Sequence, residues 1–221
     1  MDVVILVNRQ SIQSGGGIQG AAKGELGIGM ANRPLKDEEK SLGVEVVEIA
    51  KTAVVVGVNR SISLDTLSSE DLCRIYEGAV TTWDELRGGN GPITVLSKPE
   101  TDSTKETVRK SISCLKNLNE SGRIITIKTS MDMAEALAKA KAIGLTDAVS
   151  VESSRGSVKT LKLDGTAPTP ENVRSEKYKV VQTYRLVTKG KPSGAAKDFI
   201  AFVKGPRGKK IIESAHAVAV K

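Results

Sequence analysis

The chain has 221 residues, 39% hydrophobic and 27% charged, enough for one large domain or two small lobes. Aromatic residues make up only 3%, so the core is expected to be aliphatic and stacking on single-stranded nucleic acid is disfavoured. The formal net charge of +7 suits an anionic partner, but the charges are interspersed, Lys204–Lys210 being the densest basic stretch, and most read as a solvated surface.

In chain order, an apolar run at Val3–Val7 reads as a strand. Ser14-Gly15-Gly16-Gly17-Ile18-Gln19-Gly20 follows, ahead of an apolar pattern of helical spacing at Ile18, Ala21 and Ala22. A serine and three glycines at a helix start leave backbone N–H groups uncovered, and these, with the positive end of the helix dipole, favour an anion. The competing reading is a plain glycine loop. Leu26–Ile28 is a short apolar run leading into the polar cluster Gly29–Pro34. Val44–Ile49 and Ala53–Val58 read as two strands split by Lys51-Thr52. Ser68 is placed to cap a helix carrying Leu72, Ile75 and Tyr76, with Gly78 as its stop.

Gly88–Pro92 reads as a turn and Ile93–Leu96 as a strand. Asp102-Ser103-Thr104 then opens a helix with Val108, Ile112 and Leu115 on one face. Ile124–Ile127 reads as a strand, and Ser130 is placed to cap Met131–Lys141. Strands are expected again at Val158–Leu163 and Lys179–Val187. Ser193 or Gly194 opens a helix with Ala196, Phe199, Ile200 and Val203, broken at Gly205-Pro206, with a further helical turn or two at Ile211-Ile212. This alternation predicts an α/β architecture with largely parallel sheets.

Cys73 and Cys114 are the only cysteines; whether they pair is open from sequence, and Cys73 reads as a small buried hydrophobe. With His216 as the only histidine, a zinc site or a histidine-based triad is disfavoured, and no metal or cofactor is expected. No apolar run reaches membrane-spanning length, and no signal peptide is seen after Met1.

Two polar clusters, Gly29-Met30-Ala31-Asn32-Arg33-Pro34 and Lys98-Pro99-Glu100-Thr101-Asp102-Ser103-Thr104-Lys105, each follow a strand-like run, where open α/β sheets bind ligands. Ser14-Gly15-Gly16-Gly17-Ile18 followed by Gly27–Leu35 resembles the phosphate-type periplasmic solute-binding proteins of ABC importers. So do Leu67–Leu72 with Ile75–Gly78, Thr82-Trp83, Gly91–Ile93, Asp102–Thr104, Ile143–Leu145, Asp164-Gly165 with Pro168–Asn172, and Phe199–Val203. The ordered set covers nearly the whole chain.

The resemblance implies the type II periplasmic-binding-protein fold, two α/β lobes joined by two crossing strands near Val55–Asn59 and Val181–Leu186, with ligand held in the cleft. Lobe one is expected over residues 1–57 and 184–221, lobe two over 58–183. The implied function is non-catalytic capture of inorganic phosphate or a related oxyanion for ABC permease membrane subunits, in a periplasmic or extracellular setting. The implied ligand set is Ser14, the N–H groups of Gly15 and Gly16, Asn32, Arg33, Lys98, Asp102, Ser103 and Thr104.

Asn32 falls where phosphate-binding relatives carry an acidic acceptor, and Lys98 where relatives place an arginine, giving charge without a bidentate fork. Asp102 either caps the helix or accepts from a protonated ligand, with capping preferred. Arg33 is divided between anion contact and surface charge, and Thr146 reads as structural. Relatives begin with a further strand, turn and helix, so an N-terminally truncated chain is expected, its uncovered lobe-one edge favouring a homodimer. A ligand-sensing domain of the same fold is the second reading, and an enzyme is disfavoured.

Overall fold

In the computed structural model, which describes Val7 and residues 12–220, one long strand replaces two expected ones. The elements in chain order are α1 (Gln13–Lys23), β1 (Gly29–Ala31), β2 (Val44–Asn59), β3 (Thr66–Leu67), α2 (Ser69–Glu77), β4 (Thr94–Ser97) and α3 (Ser103–Ser111). Then come β5 (Ile125–Thr126), α4 (Ser130–Lys139), β6 (Ala142–Asp147), α5 (Ala148–Glu152), β7 (Val158–Thr160) and β8 (Lys162–Leu163). The chain ends with α6 (Pro170–Arg174), β9 (Val181–Lys189), α7 (Gly194–Lys204), α8 (Pro206–Ser214) and β10 (Val218–Ala219).

Lys51 and Thr52 do not split β2. Both are compatible with extended backbone, and Thr52 is β-branched and 1% exposed. Leu26–Ile28 is not a strand either, the ladder beginning at Gly29. Thr129 rather than Ser130 caps α4, accepting from the Asp132 N–H at 3.0 Å. The expected strand at Val3–Val7 lies, apart from Val7, outside the described residues.

The chain divides into two compact units. Unit one takes its described residues from Met1–Ala50, Thr183–Ser214 and Ala219–Lys221; unit two comprises Lys51–Gln182 and Ala215–Val218. β2 and β9 each begin in one unit and end in the other.

In unit one, β1 pairs antiparallel with β9, Met30 opposite Leu186, and is the end strand of its sheet among the described residues. α1 packs on β1 around a small core of Ile18, Ala21, Ala31 and Val187. The approach is close. A Cβ on Gly17 would stand 2.2 Å from the Met30 carbonyl oxygen, and one on Gly29 would stand 2.0 Å from the Gly17 oxygen.

Unit two holds the larger core. Val54, Val55, Val56 and Val58 are buried on both faces of β2, as a central strand covered on each side requires. Tyr76 and Tyr178 are buried but not orphaned, donating to the Leu96 and Val54 carbonyls, each at 2.8 Å. β4 runs parallel to β5 and β6, and β6 antiparallel to β2. Cys73, 4% exposed on α2, is disulfide-bonded to Cys114, so it is not simply a small core side chain.

Candidate functional site

Three parallel strands, in the order β6-β4-β5, end at one edge of the unit-two sheet, and each is followed by a helix. Helix N-termini at strand carboxyl ends are where a sheet of this type offers donors to an anion. Lys98 is the first residue beyond β4. It is 3% exposed, and its Nζ has no hydrogen-bond partner among the described residues. Burial pushes its pKa below the ordinary lysine range, while Asp102, Asp147 and Asp132 pull it back up. A buried cation lacking a partner is strongly destabilising unless an anion joins it.

Ser103 and Thr104, both buried, open α3 on the same side. The Ser103 Oγ accepts from Gln182 Nε2 at 2.9 Å, which leaves its own proton to donate. Asp102 is the N-cap of α3, its carboxylate accepting from the Thr104 N–H at 2.8 Å and the Lys105 N–H at 3.4 Å. That is the capping geometry, and it takes up two of the helix's free N–H groups. Thr146 is fully buried and donates to the Ser130 carbonyl at 3.3 Å, a structural contact.

A second layer was not assigned from sequence. Lys105, 8% exposed, pairs with Glu100 and Glu120, each at 2.7 Å, and donates to the Lys98 carbonyl at 3.1 Å. Glu120 also accepts from Ser97 Oγ at 2.8 Å. This network holds the backbone at Lys98 from behind. Lys105 stood within the quoted cluster, but Glu120 and Gln182 arrive from distant sequence, and nothing local marks them.

In unit one, α1 begins at Gln13, one residue ahead of Ser14, and its N-cap Ile12 makes no side-chain cap. Ser14 therefore lies inside the first turn, and its Oγ accepts from the Asn32 N–H at 3.0 Å. The Gly16 N–H, expected to face the anion, is spent on the Ile12 carbonyl at 3.1 Å, the first intrahelical bond. Gly15 carries the donor one position earlier.

Arg33 is buried at 7% exposure and gripped by Glu39 through two bonds, 2.6 and 2.8 Å, with a third to the Pro34 carbonyl at 2.9 Å. Arg33 is therefore not the exposed surface charge. The Arg33 guanidinium, with burial opposing it, holds the Glu39 carboxyl below the usual range, and the Lys36 N–H adds to that. Asn32 is half-buried, and its side-chain amide makes no hydrogen bond among the described residues.

Comparison with known proteins places this arrangement. The family model for a PBP superfamily domain matches residues 3–207. The phosphate-binding protein PstS of Bacillus subtilis is 24% identical over 198 residues, 86% of this chain. The chain spans 63% of that relative's length. A Clostridium perfringens protein described as a phosphate ABC transporter substrate-binding protein, solved with bound phosphate, is 30% identical. The match covers 95% of this chain and 86% of that one, with a TM-score of 0.84. An ABC-type phosphate transport receptor from Vibrio cholerae shares the fold at 22% identity and a TM-score of 0.67, covering 93% of this chain and 84% of its own. The chain belongs to the PBP superfamily, as a protein of the type II periplasmic binding fold related to the phosphate-binding proteins of ABC transporters.

Proposed function

We propose that this chain is a non-catalytic receptor that captures inorganic phosphate, or a similar tetrahedral oxyanion, outside the cytoplasm and presents it to the membrane permease of an ABC importer. The observation that carries this reading is Lys98, a buried ammonium without a hydrogen-bond partner among the described residues, in the same turn as the Ser103 hydroxyl at the carboxyl ends of parallel strands. The bound phosphate in the Clostridium perfringens relative supports the choice of anion.

In unit two, Lys98 supplies the charge, Ser103 a hydroxyl donor, and Thr104 the next hydroxyl of the same turn. Asp102 stays the cap. In unit one, the Ser14 hydroxyl, the Gly15 N–H and the Asn32 amide are the donors this reading assigns. Gly16 drops out of the ligand set because its N–H is engaged within α1, while Arg33, whose Nη2 stands 3.7 Å from where a Cβ on Gly15 would be, stays in it. The disulfide fits an oxidising compartment. The reading includes self-association through an uncovered lobe-one edge, and a clean monomer by light scattering at high concentration removes that part.

Titration calorimetry against phosphate, sulfate, molybdate and tungstate tests the reading. Heat is expected with phosphate. Lys98→Met should weaken binding at least a hundredfold, because a hydrogen bond or ion pair to a charged group in a buried site is worth about 3 kcal/mol. Absence of heat with all four anions overturns the assignment.

A further inference from the structure

Residues 185–221 hold nine Lys or Arg against two Asp or Glu, so this segment alone carries the chain's whole formal excess of +7. Much of that charge sits on α7 and α8 of unit one. Lys197, Lys204, Arg207 and Lys210 are exposed, and among the described residues none of them enters an ion pair.

Two large apolar side chains are exposed in the same patch, Phe202 at 43% and Ile211 at 58%. Neither belongs to the inward stripe of α7, which runs through Ala196, Phe199, Ile200 and Val203 at helical spacing. The Arg207 guanidinium stands over the Phe202 ring, 5.9 Å from its centroid. Lys210 and Ile211 follow Arg207 by three and four positions on α8, so the three share a face. One surface thus interleaves cations with apolar tips.

We propose that this α7–α8 face docks on a membrane surface bearing acidic lipid headgroups. Cations attract such a surface, and short apolar tips between them enter the boundary of headgroup and acyl chain. Two isolated apolar side chains fall far short of the roughly 1,200 Å² that a stable protein–protein interface buries. Insertion at an interface needs no such continuous patch. Docking here would hold a solute receptor close to the bilayer, and it is independent of which anion the receptor captures.

Sedimentation of the full chain with vesicles tests this. The protein should pellet with phosphatidylcholine vesicles containing one quarter phosphatidylglycerol, and not with phosphatidylcholine alone. Salt near 1 M, which cuts the screening length to about 3 Å, should release it. The triple variant K204Q/R207Q/K210Q should bind about a hundredfold more weakly, at about fivefold per charge removed. The double variant F202S/I211S should also weaken binding while keeping the salt dependence. Circular dichroism checks the fold of each variant, and the single variant K210E carries the same test should the triple variant melt early. Failure to pellet with the acidic vesicles overturns the proposal. So does equal pelleting with both lipids, or variants that bind as the unaltered chain does.

Discussion

A lysine ammonium that is 3% exposed with no hydrogen-bond partner among the described residues costs several kcal/mol relative to water, so Lys98 either sheds its proton more readily than usual or gains an anion. The sign of the resulting pH dependence follows. In the free protein its pKa is lowered by burial, and a bound anion raises it again. Affinity is therefore constant below the free-state pKa, falls as pH rises through it, and levels off above the bound-state pKa. Phosphate keeps one charge state between its second and third ionisations, so over that range the decline reads Lys98. Calorimetry should show affinity dropping by up to tenfold per pH unit in the alkaline range, below the ordinary lysine pKa. Lys98→Arg should abolish the decline, because guanidinium does not titrate there. Arg33 contrasts with Lys98, having two bonds to Glu39 that neutralise it within unit one. Glu39→Gln should cost roughly 3 kcal/mol or more in denaturant unfolding by leaving a buried guanidinium unmatched. It should change phosphate affinity far less than Lys98→Met does.

The helix α1 shows what a glycine run can mean at the scale of an element. Three consecutive glycines read either as a helix start with N–H groups uncovered for an anion or as a plain loop; the run is helical, and Gly17 lets α1 meet β1. Gly17→Ala should destabilise the protein by about 1–3 kcal/mol, since the new Cβ meets a backbone oxygen at 2.2 Å that cannot rotate away. A thermal melt checks this, and an unchanged melting temperature would show that α1 can shift off β1. Much of the secondary structure was legible because its signals are local. Ser68 and Gly78 bracket α2, Asp102 caps α3, and Ser193 stands at the start of α7. The continuity of β2 was not legible, because Lys51-Thr52 is polar and its burial comes from distant strands. The same limit applies to the site. Lys98 and Ser103 stand in one readable turn. Gln182, which orients Ser103, and Glu120, which anchors Lys105, lie tens of residues away and meet the turn only in the folded unit.

At the scale of the whole molecule, one covalent bond encloses the second site segment. The Cys73–Cys114 bridge spans 41 positions of sequence and encloses β4, Lys98 and all of α3. Closing a loop of that length in the unfolded chain is worth about 4 kcal/mol in the chain-entropy account. For a protein of this size, that corresponds to a melting temperature roughly 10 °C lower on reduction. The native turn is also held by non-covalent means, through the Asp102 cap and the Lys105 pairs with Glu100 and Glu120, and these survive reduction. The double variant C73S/C114S should therefore melt about 10 °C lower, yet bind phosphate within a few-fold of the disulfide-bonded protein when assayed well below its melting temperature. A variant that keeps its melting temperature but loses phosphate would show the opposite, that the bridge shapes the turn itself and not the stability of unit two. The comparison separates the two because calorimetric titration reads the turn and the melt reads the fold.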